Sequence, residues 1–418
     1  MNFNNELKNE ISNFISDDNQ IMLIYTDNIM AVSRYIRQQP TNVHMIFASE
    51  CDLLNKNQLS MPSNTKICII HRPEKLDIVF DDLKNVLSKK IKIILVSSSR
   101  KFVYRFRKYF NIILRDYDYD FSEYFQYKTL NLLKQLYLYI LTDGRDMYLT
   151  LFDTNKNLNK YIKDNIYAET GILHDKPIRD ISSCFNTPAN YIAVMYALAN
   201  ECRNSGNISK FLGMKQTTVS KYLSQLQSYG FIEYVTSLDA PEKSKSGKYK
   251  IISPYHHFWF RFMYEDMYTY GNIEKLNFNL NSNLRAYLIE NHLIVYMKHI
   301  IDKRFQSQNI SYKEWWNDDN HIDIVGVCNA KKTLYIGQYY CNHVHWDEYN
   351  ELVSLSGKIK GYEKWKKVYI IFSSAGFDDE LKAVSDANKH IILHSVSFNE
   401  PLTNTVIPLI IETRKKLK

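Results

Sequence analysis

Glycine is scarce in this chain, at 12 of 418 residues. Loops that wrap phosphates with backbone amides lean on glycine, so little is left here to build them. Cysteine is sparse and scattered. Cys51, Cys68, Cys184, Cys202, Cys328 and Cys341 form no CxxC pair. That argues against a zinc ribbon or a disulfide framework and fits the reduced thiols of a cytoplasmic protein. No run of about 18 apolar residues occurs, so no transmembrane helix and no membrane partner are expected. The stretch MNFNNELKNEISNF carries acids and no apolar segment, which does not read as a signal peptide. Neither GxSxG nor HExxH is present, which leaves nucleophilic hydrolase and zinc peptidase chemistry without support. No internal repeat and no long low-complexity linker interrupts the chain.

What is present is ordinary for a globular protein, with 45% apolar and 23% charged residues. The length allows two or three domains, each with its own core. A net charge of +8 permits nucleic-acid binding without demanding it.

The most informative stretch is NISKFLGMKQTTVSKYLSQLQSYGFIEYV, residues 207–235. It reads as a winged helix-turn-helix. A short helix over 207–212 ends at Gly213, a residue suited to the left-handed turn between two helices. A second helix is expected from about Gln216. Val219, Tyr222, Leu223 and Leu226 fall at helical spacing and share one buried face. Gln216, Thr217, Thr218, Ser220 and Lys221 are left toward solvent, where such a helix meets a DNA groove. Lys215 flanks the same face. The expected wing, DAPEKSKSGKYKIIS, adds Lys243, Lys245, Lys248 and Lys250 as phosphate contacts. The same lysines would equally well solubilise a loop, and helices of this kind also pack on protein.

Residues 1–120 alternate helical stretches with the apolar runs IMLIY, HMIFA, KICII and KIILV, the pattern of a parallel sheet with crossover helices. Residues 121–187 read as a helical, lid-like region and 188–255 as the winged helix. Residues 256–418 hold an aromatic helical segment and then strands, of which TLYIGQYYC, KVYIIF and HIILHSV are the clearest. The fold class expected is α/β throughout these parts.

Several segments together carry a resemblance. TDGRDMYLTLFD (142–153) has Asp143 and Gly144 where a GG-x-P-x-YL segment has its glycine pair. KYLSQLQSYGFIEYV, KYKIISPYHHFWFRFMY, KEWWNDDNHIDIV and IIFSSAGFDDEL follow in order and spacing. This layout resembles archaeal and bacterial AAA+-type (STAND-like) ATPases that carry a winged helix and a C-terminal domain related to PD-(D/E)XK nucleases. The resemblance implies an N-terminal P-loop ATPase domain and a restriction-endonuclease-like C-terminal domain.

At both catalytic motifs the residues depart from the family. A P-loop should follow IMLIY, but the text is TDNIMAVS: Thr26 stands at the first glycine, Ala31 and Val32 at the GK pair, and Ser33 alone keeps a hydroxyl for Mg²⁺. KICII should lead into an acidic pair and leads into His71-Arg72 instead. Ser97 and Ser98 remain at the sensor region, as serines do at many strand exits. In the C-terminal domain Asp323 occupies the metal-binding aspartate position. Gln338 stands for the second acid and Tyr340 for the lysine, leaving a weak ligand and a poor base. Loss of both activities is expected, with no cofactor; a remodelled nucleotide pocket is the alternative.

His343 and His345 in NHVHW would share a strand face, as a metal pair or as surface residues. His256-His257 reads as part of the aromatic packing before FWF. RDYDYDFSEYFQY mixes tyrosines with acids that would repel phosphate. The reading that follows is a non-catalytic relative of the ATPases that binds double-stranded DNA through its winged helix, regulatory or defence-related in role. Its alternatives are a protein-interaction scaffold without DNA binding and an ATPase with a remodelled site.

Overall fold

The computed structural model describes residues 5–16, 21–26, 29–38, 42–47, 64–73, 91–106, 112–115, 121–155, 157–241, 244, 246–268, 282–306, 308–317 and 320–398. The chain falls into two compact units. The first comprises 1–119, 142–233 and 251–262, the second 120–141, 234–250 and 263–418.

The first unit is built on β1 (Ile21–Tyr25), β2 (Val43–Phe47), β3 (Ile67–His71), β4 (Lys92–Ser97) and β5 (Ile112–Arg115). They form one all-parallel sheet in the order β2-β3-β4-β1-β5. β1, β3 and β4 are runs of Ile, Leu and Val with successive residues buried on both faces. Such strands suit a parallel sheet covered on both sides. On one face α1 (Asn5–Ser16) and α2 (Ile29–Arg37) contribute Ile11, Phe14, Val32 and Ile36, which pack on Met22, Ile24, Ile67, Ile69, Ile94 and Val96. α3 (Arg100–Phe106) follows β4. This sheet fits the P-loop-like domain that the sequence resemblance implies. The chain leaves β1 toward β2 and leaves β4 toward β5, in opposite directions along the sheet. A crevice at their C-terminal ends is where such sheets place a ligand.

After α4 (Leu132–Leu141), part of the second unit, the first unit continues with α5 (Asp146–Asn155), α6 (Leu158–Ile162), α7 (Lys176–Cys184), α8 (Ala189–Ala199), α9 (Ser205–Leu212) and α10 (Gln216–Ser228). Asn204 caps α9 through Asn207 N, and Gly213 ends it at φ 65°. β6 (Ile232–Val235) and β7 (Lys248–Ile251) make a two-stranded sheet, followed by α11 (Pro254–Phe262).

The second unit contains α12 (Tyr264–Tyr268), α13 (Ser282–Arg304), α14 (Trp346–Gly357) and α15 (Asp379–Ala387) around a mixed sheet. β8 (Ser311–Asn317), β9 (Asn320–Cys328) and β10 (Thr333–Tyr340) pair antiparallel. β10, β11 (Lys366–Ser373) and β12 (Ile391–Ser395) pair parallel. Leu352 of α14 and Leu381 of α15 cover one face with Val325, Leu334, Ile336 and Ile371. Across the other face a Cβ on Gly337 would collide with Ile324 and touch Met297 and Ile301 of α13, so the missing side chain is what lets the helix approach.

Two strands go beyond the sequence reading, β5 and β8. The stretch RDYDYDFSEYFQY packs its rings where it is described. Phe121–Gln126 is a 3₁₀ turn, and Phe121 packs edge-on against Tyr139 and Tyr296. Burying rings outweighs the polar pattern there. The acids of that motif at 116–120 lie outside the described residues. Among the described residues no helix is long and apolar enough to cross a membrane.

Candidate nucleic-acid interface and candidate catalytic positions

α10 buries Val219, Leu223 and Leu226 against the neighbouring helices and leaves Tyr222 half-buried. Tyr222 accepts a hydrogen bond from Asn190 Nδ2 at 2.8 Å, and Tyr191 donates to Gln225. The opposite face is exposed at Lys215, Gln216, Thr217, Thr218, Ser220 and Lys221. Gln216 Nε2 donates to Ser205 Oγ at 3.0 Å, which ties the start of α10 to the start of α9. Among the described residues neither Lys215 nor Lys221 is held in an ion pair. The hairpin lysines are placed differently. Lys248 lies with its ammonium 4.4 Å above the Trp316 ring, and Lys250 pairs with Glu314. Both contacts lie within the second unit. Lys243 and Lys245 fall outside the described residues.

At the C-terminal edge of the parallel sheet the expected nucleotide positions do come together. Thr26 N donates to Ser97 O at 2.9 Å. Ser33 Oγ sits 3.2 Å from His71 Nε2, with both groups buried. Burial pushes His71 below the usual histidine range, which favours the neutral ring. Val32 is fully buried in the apolar cluster under the sheet. Val32 and the Ser33–His71 contact do not fit nucleotide with Mg²⁺: they offer phosphate no ammonium and the metal no carboxylate.

The positions expected for a nuclease-like site also come together. Asp323 and Gln338 lie opposite each other where β9 and β10 meet. Gln338 Oε1 accepts from Asp323 N at 3.1 Å, and Asp323 Oδ2 accepts from Tyr339 N at 2.9 Å. Asp323 Oδ1 is 2.9 Å from His321 Nε2. Tyr340 donates to Glu348 O at 3.4 Å, and burial pushes its phenol well above the usual tyrosine range, with Asp323, Glu351 and Glu348 adding to the shift. Both carboxylate oxygens are thus engaged, and Tyr340 stays protonated. Among the described residues no three His, Cys, Asp or Glu side chains form a group able to hold a metal ion. The His343 and His345 rings do lie 5.0 Å apart, with His345 Nδ1 3.5 Å from Asp378.

Three features of the first unit were not legible as site residues. Asp143, at φ 54°, accepts from Ser253 Oγ at 2.6 Å and Tyr255 N at 3.1 Å, joining the 142–153 motif to the start of α11. Asp180 is 2.9 Å from Lys176 Nζ and 3.1 Å from His256 Nε2. Burial would raise that carboxyl, but Lys176 and His256 outweigh it and hold it well below the usual range. Arg100 donates to the carbonyls of Tyr229 and Gly230, just past α10. The only sequence signal for it was its place directly after Ser97-Ser98-Ser99.

No protein-family model matches the chain. It is 25% identical over 203 residues to uncharacterized protein MJECL04 of Methanocaldococcus jannaschii, a stretch covering 45% of this chain and 44% of that protein. The chain therefore spans less than half the length of that relative. Among solved structures it is similar to the Walker-type ATPase PABY2304 of Pyrococcus abyssi, at 12% identity and TM-score 0.42, over 62% of this chain and 96% of that one. It is also similar to the DNA clamp loader delta protein of Bacillus subtilis, at 10% identity and TM-score 0.21, over 53% and 88%. At these scores no residue role transfers from either structure.

Proposed function

We propose that this protein is a non-catalytic relative of AAA+-type ATPases that binds duplex DNA through α9 and α10, read as a winged helix-turn-helix with β6 and β7 as its wing. The observation that carries the reading is the exposed row Lys215, Gln216, Thr217, Thr218, Ser220 and Lys221 on one face of α10. Gln and Thr at a helix start can hydrogen-bond base edges, and the flanking lysines can contact phosphate. Support for the loss of catalysis comes from the Ser33–His71 contact and from Asp323, whose oxygens serve His321 and Tyr339. In this reading the C-terminal unit is a nuclease-like fold kept for binding.

Gel-shift titration at low salt tests it. Lys215→Ala with Lys221→Ala should weaken binding and flatten its salt dependence by roughly one log–log slope unit per lost phosphate contact. Unchanged binding by the double variant would sink the α10 reading. A second reading, a protein-docking scaffold, is favoured by Lys248 over Trp316 and Lys250 on Glu314, which commit two wing lysines inside the molecule. It expects no salt-sensitive DNA affinity at all.

A further inference from the structure

The second unit segregates its charge along the strand direction. β10, β11 and β12 are parallel, so their N-terminal ends share one edge of the sheet. α14 and α15 each connect the far end of one strand to the near end of the next, so their C-terminal ends return to that edge. In the segments that meet there, 329–332, 357–367 and 386–390, eight lysines stand against two carboxylates, Glu363 and Asp386. The opposite edge carries Asp323, Asp347, Glu348, Asp378 and Asp379.

Strand pairing brings the lysines together. Lys366 N donates to Lys332 O at 3.0 Å, and Tyr369 N donates to His390 O at 2.8 Å, beside Lys389. Neighbouring strand ends are about 5 Å apart, so one cation follows another across the edge. Lys331, Lys332, Lys360, Lys364, Lys366 and Lys389 are exposed, and among the described residues none is held in an ion pair. The field is felt locally: His390 is held below the usual histidine range, by burial first and then by Lys366 and Lys389. Clustered cations in excess of their carboxylates repel each other, and a polyanion relieves that repulsion. A duplex offers about one phosphate charge per 1.7 Å of axis, and lysines are point-charge contacts suited to phosphate rather than to base edges.

We propose that this lysine edge is a second DNA-contacting surface, one that grips the phosphate backbone of a duplex without reading its sequence. It lies on a different unit from α10 and on the sheet edge opposite Asp323.

The test measures anisotropy of a labelled mixed-sequence duplex against the full chain across a salt series. The variant carries Lys331→Glu, Lys332→Glu, Lys366→Glu and Lys389→Glu, with a second variant carrying Gln at the same positions. Both should weaken binding about tenfold or more at low salt and reduce the log–log salt slope by roughly 0.9 for each lost contact. Circular dichroism checks the fold, and the Gln variant decides if the Glu variant unfolds. Wild-type affinity and slope in a folded variant overturn the proposal, even where Lys215→Ala with Lys221→Ala loses binding. Loss in the edge variant with a silent α10 variant supports the edge and overturns the α10 reading instead. If the edge variant loses only sedimentation with phosphatidylserine vesicles, the partner is a lipid surface and the proposal is wrong.

Discussion

Arg100 Nη1 donates to Gly230 O at 2.9 Å, so the residue that opens α3 holds the chain just past the end of α10. Gly230 is at φ 74°, the left-handed position past a helix end that glycine fills at least cost. The same guanidinium lies 4.6 Å from the Phe231 ring and 5.6 Å from the Tyr25 ring at the end of β1. One cation therefore fastens the exposed helix to the C-terminal ends of β1 and β4, where Thr26 and Ser97 also sit.

Removing that cation should loosen the helical part of the first unit. A charge-assisted hydrogen bond plus a desolvated cation–π contact predicts a loss of about 2–4 kcal/mol for Arg100→Ala. Arg100→Lys keeps the charge but loses the fork and should fall between. Urea unfolding followed by fluorescence of a chain in which Trp259, buried in this unit, is kept and the other four tryptophans are replaced by Phe reads the change. An unchanged midpoint in Arg100→Ala would show that the tether contributes nothing.

Acid should destabilise the same unit before carboxylates titrate. Burial pushes His257 down to about 4, with Arg203 and Arg261 adding to the shift against Glu201. A histidine depressed in the folded state contributes stability that is full above its unfolded value of about 6.5 and is lost as pH falls toward the folded value. His71 and His256 are depressed in the same direction, chiefly by burial. The urea midpoint should therefore drop between pH 6.5 and about 4. His257→Gln should flatten that fall, and an equally steep fall in the variant would place the sensitivity elsewhere.

Much of this was readable from local pattern, and the limits have a physical cause. β1, β3 and β4 are continuous apolar runs, and α10 declares its buried face by helical spacing, so local rules suffice. β8, reading SYKEWWN, mixes charges with tryptophans, and its register slips between Lys313 and Trp315, which hides its period. β5 is four residues long. Arg100, Asp143 and Asp180 find partners more than seventy residues away, and no local pattern carries such pairings. Lys248 is a further case: its charge is legible in the sequence, while its position above Trp316 depends on the fold of the second unit.

Gly337 tests how closely α13 lies on the C-terminal sheet. Its missing Cβ leaves space that Ile324, Met297 and Ile301 already border. Gly337→Val should overpack this face and cost about 1–3 kcal/mol. Gly357→Ala, where a Cβ would meet nothing within 4 Å, serves as the control and should be close to neutral. Thermal unfolding by circular dichroism compares the two, and equal midpoints would mean the helix yields freely.

Val32 decides whether one residue could turn the crevice into a nucleotide site. A P-loop lysine must reach phosphate, yet Val32 is fully buried among Ile11, Phe14, Ile24 and Ile69. Val32→Lys would drive an ammonium into that apolar cluster, a cost of several kcal/mol unless the group sheds its proton. The variant should melt well below wild type and gain nothing from MgATP, because Ser33 and His71 still occupy each other. Differential scanning fluorimetry with and without MgATP separates the outcomes. A Val32→Lys protein that is as stable as wild type and is stabilised by MgATP would mean that α2 can turn this position toward the crevice, and that the site is adaptable rather than closed.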